Sequence, residues 1–383
     1  MSPTTTTNHI GGIDKLREAM PPMDGNLMGP AMVTPWQPLG IAQRIIQTFT
    51  APTSAAKSSP TTPKLISITS SVYAEKVRFA LDLMLATDKP VFSHYVEDIH
   101  PPALHCGFAL AETRNQQSRT PLLVITDANG QTSTLLSSEE ILPQVCPHLY
   151  PNKIAKEIKQ LEHEWGHSLG AAVRSIYYVH LLLLQQPGNH QYYPAMTRLC
   201  TGAVPQVSAT LFRAMLDKGV DQGMCECLGL SVDSNAAAEQ VLEATLTQLS
   251  KLVDEKKVLQ DETAYWMDTP QNKYGFTAAD LALAVYVANA CGDVPALDGL
   301  STNVLRDDDA LPPALLALRQ RWRATSVAAY ARRIYRQHRP VGPNGRITIR
   351  AARRDQTPWA ALGALTAVGM ALTTAALWRR RGA

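Results

Sequence analysis

The chain has 383 residues, 45% hydrophobic and 18% charged, so it can bury a core of two or three structural units and is not disordered overall. Its net charge of +3 conceals an asymmetry: without the fourteen Arg and one Asp beyond residue 318, the first 318 residues carry −10. The six Cys lack the paired spacing of a zinc motif and no secretory signal opens the sequence, which favours reduced thiols in a cytosol-facing protein.

Residues 1–63 are rich in Thr, Pro, Ser, Met and Gly without a sustained hydrophobic period, so we expect them to be disordered. Within them, residues 36–49 predict a short amphipathic helix that docks on the body or touches a membrane surface. A cleaved organelle transit peptide is the alternative, although Asp14, Glu18 and Asp24 dilute the basic character that such peptides need.

Residues 64–146 alternate between strand and helix patterns. Four strands are predicted, with a helix after the first and the strong hairpin signal Asn129–Gly130 between the last two: Lys64–Ile68, Val91–Val96, Pro121–Asp127 and Thr132–Leu136. The first helix is predicted over 74–86, a short one within 99–118, and a last one opened by residues 137–140. This order predicts a small mixed sheet covered by helices.

Ser70 and Ser71 form a polar turn between the first strand and the first helix. The first N–H groups of a helix have no partner inside it and the macrodipole is positive there, so a hydroxyl at this place can hold an anion or a thiolate. An ordinary N-cap is the alternative role for the same hydroxyl.

Residues 152–338 are helical in pattern nearly throughout, which predicts an all-α unit. The predicted helices are 154–186, 206–218, 235–257, 278–291 and 311–338. Before the fourth, Thr277 and Asp280 have the spacing of a capping box, and Phe276 and Leu281 that of a hydrophobic staple. We assign these four residues to stability, not to catalysis.

These patterns resemble the glutathione S-transferase superfamily, in which a thioredoxin-like α/β domain precedes an all-helical domain. The run Ser71-Val-Tyr-Ala-Glu-Lys76-Val77-Arg78-Phe-Ala80-Leu81 is similar to that family's catalytic turn and first helix, and the capping box closely resembles that of its helical domain. The resemblance covers about residues 64–335. It implies a domain 64–146 followed by a domain 152–338, and a transferase that conjugates glutathione to a small electrophile or reduces a peroxide with it. A homodimer is one assembly that the resemblance implies.

The resemblance also implies roles for individual residues. Ser71 would donate a hydrogen bond to the glutathione sulfur, and Ser137 and Ser138 would hold the γ-glutamyl end of the peptide. The family's cis-proline falls at Thr120–Pro121, so Thr120, Pro121 and Leu122 would bind the cysteinyl part of glutathione. Val72 and Ser137 depart from the family pattern, which leaves a non-catalytic adaptor on an organelle membrane as the alternative function.

The sequence His163-Glu164-Trp165-Gly166-His167 matches the zinc hydrolase motif H-E-x-x-H. Val173 stands where the longer form of the motif has a third His, and the segment already belongs to the predicted helical domain. We therefore expect no metal cofactor.

The C-terminal region combines a basic linker at 339–355, an uncharged 23-residue segment at 356–378 and a basic tail at 379–383. A helix of that length spans about 35 Å, enough to cross a bilayer, and Trp359 and Trp378 suit its interfaces. The excess of Arg before this segment predicts a tail anchor with the body facing the cytosol. The membrane could be the mitochondrial outer, plastid envelope or peroxisomal one. Nucleic acid is not expected as a partner, since the basic tract has few stacking aromatics.

Overall fold

The computed structural model describes residues 62–339, with interruptions at 103–104, 106–107, 110–111, 114–118, 128, 185–194, 198–199, 201–208, 211, 214–215, 217–224, 226–228 and 293–310. The predicted N-terminal disorder, nearly all of the predicted basic linker, the predicted membrane segment 356–378 and the basic tail lie outside the described residues. No helix within the described part of the chain is both long and apolar enough to cross a bilayer.

An α/β unit comes first, with the elements β1 (Lys64–Ile68), α1 (Val72–Leu85), β2 (Val96–His100), β3 (Leu122–Thr126), β4 (Thr132–Leu136) and α2 (Ser138–Val145). Its four-stranded sheet has the order β2-β1-β3-β4. β1 pairs parallel with β2 and antiparallel with β3, and β3 pairs antiparallel with β4. The predicted mixed sheet is therefore confirmed.

Three predicted strands agree with the structure and one was wrong. β1 and β4 have the predicted bounds, and β3 differs by one residue at each end. The second strand was placed at 91–96, but β2 begins at Val96, and Val91 is 61% exposed. The pattern favoured 91–96 because of its apolar and aromatic residues, whereas β2 reads VEDIH and buries Glu97 completely beside Arg78.

The second unit is helical in its described parts. It contains α3 (Ala155–Trp165), a π segment (Gly166–Gly170), α4 (Ala171–Tyr178), a second π segment (Val179–Leu183), α5 (Val232–Glu255), α6 (Ala278–Cys291), α7 (Pro313–Arg323) and α8 (Ser326–His338). The helix predicted over 311–338 was wrong in being continuous, because Thr325 begins a new helix by accepting a hydrogen bond from the Ala328 N–H. The bounds of the helix predicted at 206–218 lie outside the described residues.

The core joins the two units. α6 is buried along its whole length and packs against α3, α8 and α1. On the sheet, Leu65 and Leu123 face this shared core, whereas Ile66 and Leu122 face a smaller cluster around Ala109. A small mixed sheet followed by a helical unit fits the glutathione-transferase-like arrangement that the sequence predicts.

Candidate functional site

Three loop positions predicted to bind glutathione meet at one edge of the sheet. Ile66 near the end of β1 pairs with Leu122 at the start of β3, and Leu122 pairs with Leu136 at the end of β4. The residues that follow β1, precede β3 and follow β4 are therefore neighbours in space. A hydrogen bond of 3.0 Å from the Ser137 N–H to the Pro121 carbonyl joins two of these loops directly.

Ser71 is the N-cap of α1. Its Oγ accepts a hydrogen bond of 3.2 Å from the Ala74 N–H, and its backbone lies in the extended region. The cap role and the proposed chemical role are compatible, because a serine hydroxyl has two acceptor lone pairs and one separate proton to donate. The side chain is partly exposed, so that proton can reach a ligand.

Arg78 fixes the turn that presents Ser71. This fully buried guanidinium donates to the Ile68 carbonyl at 3.1 Å and the Thr69 carbonyl at 3.4 Å, and to Glu97 Oε1 at 2.7 Å. It also donates to Ser67 Oγ at 3.1 Å. Arg78 thus ties the end of β1 to β2 and α1. Arg78 lies within the family-like run 71–81, but the sequence pattern alone indicates no function for it.

The other side of the turn faces the helical unit. Thr69 Oγ1 donates a 3.0 Å hydrogen bond to the Cys200 carbonyl. Burial raises the pKa of the Cys200 thiol, and the nearby Ser70 hydroxyl partly opposes that shift. Burial likewise raises the pKa of the Tyr178 hydroxyl, against the same Ser70 contact. Both groups are therefore neutral at physiological pH, and neither is a thiolate or phenolate nucleophile.

Arg174 on α4 supplies positive charge on this side. It lowers the pKa values of Tyr73 and Tyr178, although burial, the larger effect, raises both. Its Nε atom is buried and has no hydrogen-bond partner within the described residues. A guanidinium in this position can stabilise an anionic ligand or intermediate. Tyr178 lies one turn from Arg174 on α4, whereas Tyr73 belongs to α1, so only the proximity to Tyr73 depends on how the two units pack.

Two of the predicted binding positions, Pro121 and Ser137, have an unusual backbone conformation. The Thr120–Pro121 peptide bond is cis. Ser137 has φ +79°, a conformation uncommon for a residue with a side chain, and it precedes α2 without a side-chain cap bond within the described structure. The first N–H groups of α2 thus remain available to an anionic group, next to the buried Ser138. Leu122 is fully buried, so only its backbone could contact a ligand.

The four residues assigned to stability lie at the start of α6, where Phe276 and Thr277 precede the helix and Asp280 and Leu281 belong to its first turn. Asp280 Oδ2 accepts hydrogen bonds from Thr277 N at 2.8 Å and Thr277 Oγ1 at 2.6 Å, which forms the capping box. Asp280 Oδ1 accepts from the Trp266 N–H at 2.8 Å and from the Tyr330 hydroxyl. Phe276 packs against the core that contains Leu281, so the set belongs to folding, not to the sheet-edge site.

No family model and no curated protein matches the sequence. Two solved structures of a maleylacetoacetate isomerase from Anaeromyxobacter dehalogenans 2CP-1 match at low similarity. One, with glutathione bound in its active site, is 19% identical over 73% of this chain and 98% of that chain, with a TM-score of 0.26. The other, with bound dicarboxyethyl glutathione and citrate, is 18% identical over the same shares, with a TM-score of 0.24. Because both TM-scores lie below 0.5, neither structure supports a conclusion about this chain.

Proposed function

We propose that the chain binds glutathione at the sheet edge and either conjugates it through its sulfur to a small electrophile or uses two molecules of it to reduce a peroxide to an alcohol and water, with glutathione disulfide as the other product. The observation that carries this proposal is the meeting of the Ser71 turn, the Pro121 backbone and the uncapped start of α2 at one edge. The Ser71 hydroxyl can donate to the thiol sulfur, and the Pro121 backbone can bind the cysteinyl amide. The start of α2 can bind the γ-glutamyl carboxylate through its N–H groups.

In this proposal Ser71 donates its proton as a hydrogen bond to the glutathione sulfur. A hydrogen bond to the thiolate, together with the positive helix start, favours the deprotonated form at neutral pH. The thiol proton leaves to solvent, the sulfur forms a bond to the electrophilic carbon, and the leaving group departs with its electron pair. Arg174 would stabilise negative charge that develops on the electrophile.

The test compares Ser71→Ala with Ser231→Ala. Ser231 caps α5 by accepting a 3.0 Å hydrogen bond from the Ser234 N–H, so each variant removes one helix cap at a cost of about 1 kcal/mol. Glutathione binding is measured by calorimetry and conjugation with chlorodinitrobenzene by absorbance. We expect Ser71→Ala to lose about ten- to a hundredfold in conjugation rate, because a hydrogen bond to a charged group contributes about 1.5–3 kcal/mol. Ser231→Ala should keep the rate of the unmodified chain.

Full conjugation by Ser71→Ala would contradict the role of Ser71. Absence of glutathione binding by the unmodified chain would contradict the proposal as a whole and favour the non-catalytic adaptor.

We further propose that residues 356–378 anchor the chain in an organelle membrane with its body in the cytosol. The support is the 23-residue uncharged segment and the excess of Arg that precedes it. Alkaline extraction of cell membranes separates anchored from peripheral protein. The full chain should stay with the membrane pellet and a chain ending at residue 355 should be released, and equal release of both would refute the anchor.

A further inference from the structure

Three side chains with metal-binding atoms converge where the two units touch. Glu139 stands in the first turn of α2, His163 lies near the end of α3, and His167 lies in the π segment that follows. One ligand atom of each lies within 4.8 Å of the others. His163 Nδ1 is 3.2 Å from Glu139 Oε2, and the two imidazole rings are 4.1 Å apart between centroids.

Gly166 separates the two His residues in the chain and lies beside Glu139. A Cβ atom at Gly166 would lie 3.7 Å from Glu139 Oε1, an ordinary contact distance, and 3.3 Å from the Tyr286 hydroxyl oxygen, which is a tight one, so the glycine relieves crowding with α6. The Gly166 carbonyl accepts a 2.7 Å hydrogen bond from the Tyr73 hydroxyl, which fixes the segment between the two His residues. The separation of four residues then stacks both imidazoles on one side of the helix.

His167 is already held in the orientation that a metal ligand needs. Its Nδ1 lies 2.9 Å from the His163 carbonyl oxygen, and since a carbonyl can only accept, Nδ1 carries the proton. The remaining ring nitrogen, Nε2, therefore has a free lone pair. A backbone carbonyl that sets the tautomer in this way is the usual second partner of a metal-binding His.

We propose that Glu139, His163 and His167 bind one divalent transition metal ion such as Zn²⁺. Two imidazoles and one carboxylate form a recognised zinc ligand set, with open positions left for water. Ligand atoms of a tetrahedral zinc site lie about 3.3 Å apart, so the cluster must contract by up to about 1.5 Å. Glu139 and His163 are 40% and 59% exposed, which leaves their side chains free to make that movement.

This site is not the hydrolytic centre that the motif H-E-x-x-H suggests. The Glu164 carboxylate accepts a 2.9 Å hydrogen bond from Gln160 one turn earlier on α3. The third ligand comes instead from α2 of the other unit, 24 residues before His163. The bound ion would therefore link α2 to α3. Since Glu139 directly follows Ser138, this link would also fix the start of α2.

The experiment titrates ZnCl₂ into the metal-stripped full chain, produced without a polyhistidine tag, by calorimetry. The comparison of Glu139→Gln with Glu164→Gln is decisive, because both remove one carboxylate charge within the same surface region. We expect binding of one Zn²⁺ per chain, weakened at least about tenfold in Glu139→Gln and in His167→Ala. Glu164→Gln should bind like the unmodified chain. Saturating Zn²⁺ should raise the melting temperature only of the chains that bind it.

Several results would overturn the assignment. These are the absence of stoichiometric binding, an unchanged affinity in Glu139→Gln, or an equal loss in Glu164→Gln. Circular dichroism of the metal-free variants checks that each is folded, and the visible spectrum of the Co²⁺-loaded unmodified chain gives a second measurement without any substitution. A purely octahedral, water-like Co²⁺ spectrum would also refute the site.

Discussion

The ion pair between Arg78 and Glu97 should govern the stability of the sheet edge. Both side chains are fully buried, with Nε and Oε1 2.7 Å apart. Removing one partner breaks a buried ion pair, which costs about 3–5 kcal/mol; the upper end applies to Arg78→Met, because in Glu97→Gln the Arg78 guanidinium keeps Glu75 Oε2 at 3.8 Å. We therefore expect Arg78→Met and Glu97→Gln each to lower the free energy of unfolding by that amount.

The double variant separates the ion pair from the other contacts of Arg78. The carbonyls of Ile68 and Thr69 lose their donor in both Arg78→Met and the double variant, so their contribution cancels in the cycle. The double variant should be less destabilised than the sum of the single ones by at least about 2 kcal/mol.

Urea unfolding at neutral pH, followed by circular dichroism, measures all four free energies. The exposed pair Lys251–Glu255, 3.8 Å apart, provides a matched control cycle that should show a coupling of at most about 0.5 kcal/mol. If the effects of Arg78→Met and Glu97→Gln add within about 0.5 kcal/mol, the proposed coupling through the buried pair is refuted.

Three further predictions concern other buried groups. Burial raises the pKa of Asp82 from 3.8 to about 7, so the folded chain binds a proton that the unfolded chain releases, and stability should fall as pH rises from about 4 to 7. This change in the free energy of unfolding amounts to at most about 4 kcal/mol, and Asp82→Asn should abolish it. Urea unfolding across this pH range measures both chains. Asp280→Asn should cost about 3 kcal/mol or more in the same assay, because it replaces an acceptor with a donor that faces other donors, whereas Thr277→Ala should cost about 1 kcal/mol. Gly170→Ala should destabilise by about 1–3 kcal/mol despite the better helix propensity of Ala, since the new Cβ would lie 2.9 Å from the Tyr73 hydroxyl oxygen, and thermal unfolding reports the sign.

Each of these has a contradicting result. If the free energy of unfolding depends on pH in the same way for Asp82→Asn and the unmodified chain, the Asp82 carboxyl does not titrate between pH 3.8 and about 7. Equal costs for Asp280→Asn and Thr277→Ala would reduce the Asp280 network to a simple helix cap. A higher melting temperature for Gly170→Ala would mean that the Tyr73 side chain moves away from the new Cβ without a net cost in stability.

Local patterns predicted those elements whose residues carry their own signal. β1 is a β-branched run and α6 begins at a Thr–Asp capping box, so both were placed with their observed bounds. The Asn129–Gly130 signal found the hairpin, but the loop is longer than two residues. The Asp127 carboxylate closes it by accepting from the N–H groups of Asn129 and Gln131. The Asn-Gly hairpin signal covers only the two turn residues, so it does not predict that Asp127 closes the loop.

Elements that depend on distant partners could not be predicted in this way. The β2 sequence VEDIH is too polar for a buried strand until Arg78 is placed beside Glu97, and that contact joins residues on different elements. The same applies to the interaction of Arg174 with Tyr73, because these two residues belong to different units, whereas Tyr178 lies one turn from Arg174 on α4 itself. Glu139 joins His163 and His167 across two units, so a search for closely spaced ligands in the sequence finds only the two His residues.

The contacts around Ser71 also explain how a helix cap can serve chemistry. The cap bond uses a lone pair of Ser71 Oγ and leaves the hydroxyl proton available to donate. Arg78 fixes the turn itself by donating a hydrogen bond to the Ile68 carbonyl. A donor fixed in this way does not need to reorganise when a negative charge forms on a bound sulfur, which is the condition for effective electrostatic stabilisation. If Ser71 acts as proposed, loss of Arg78 should weaken stabilisation of the thiolate although Ser71 itself remains, because the turn that positions the hydroxyl would no longer be fixed.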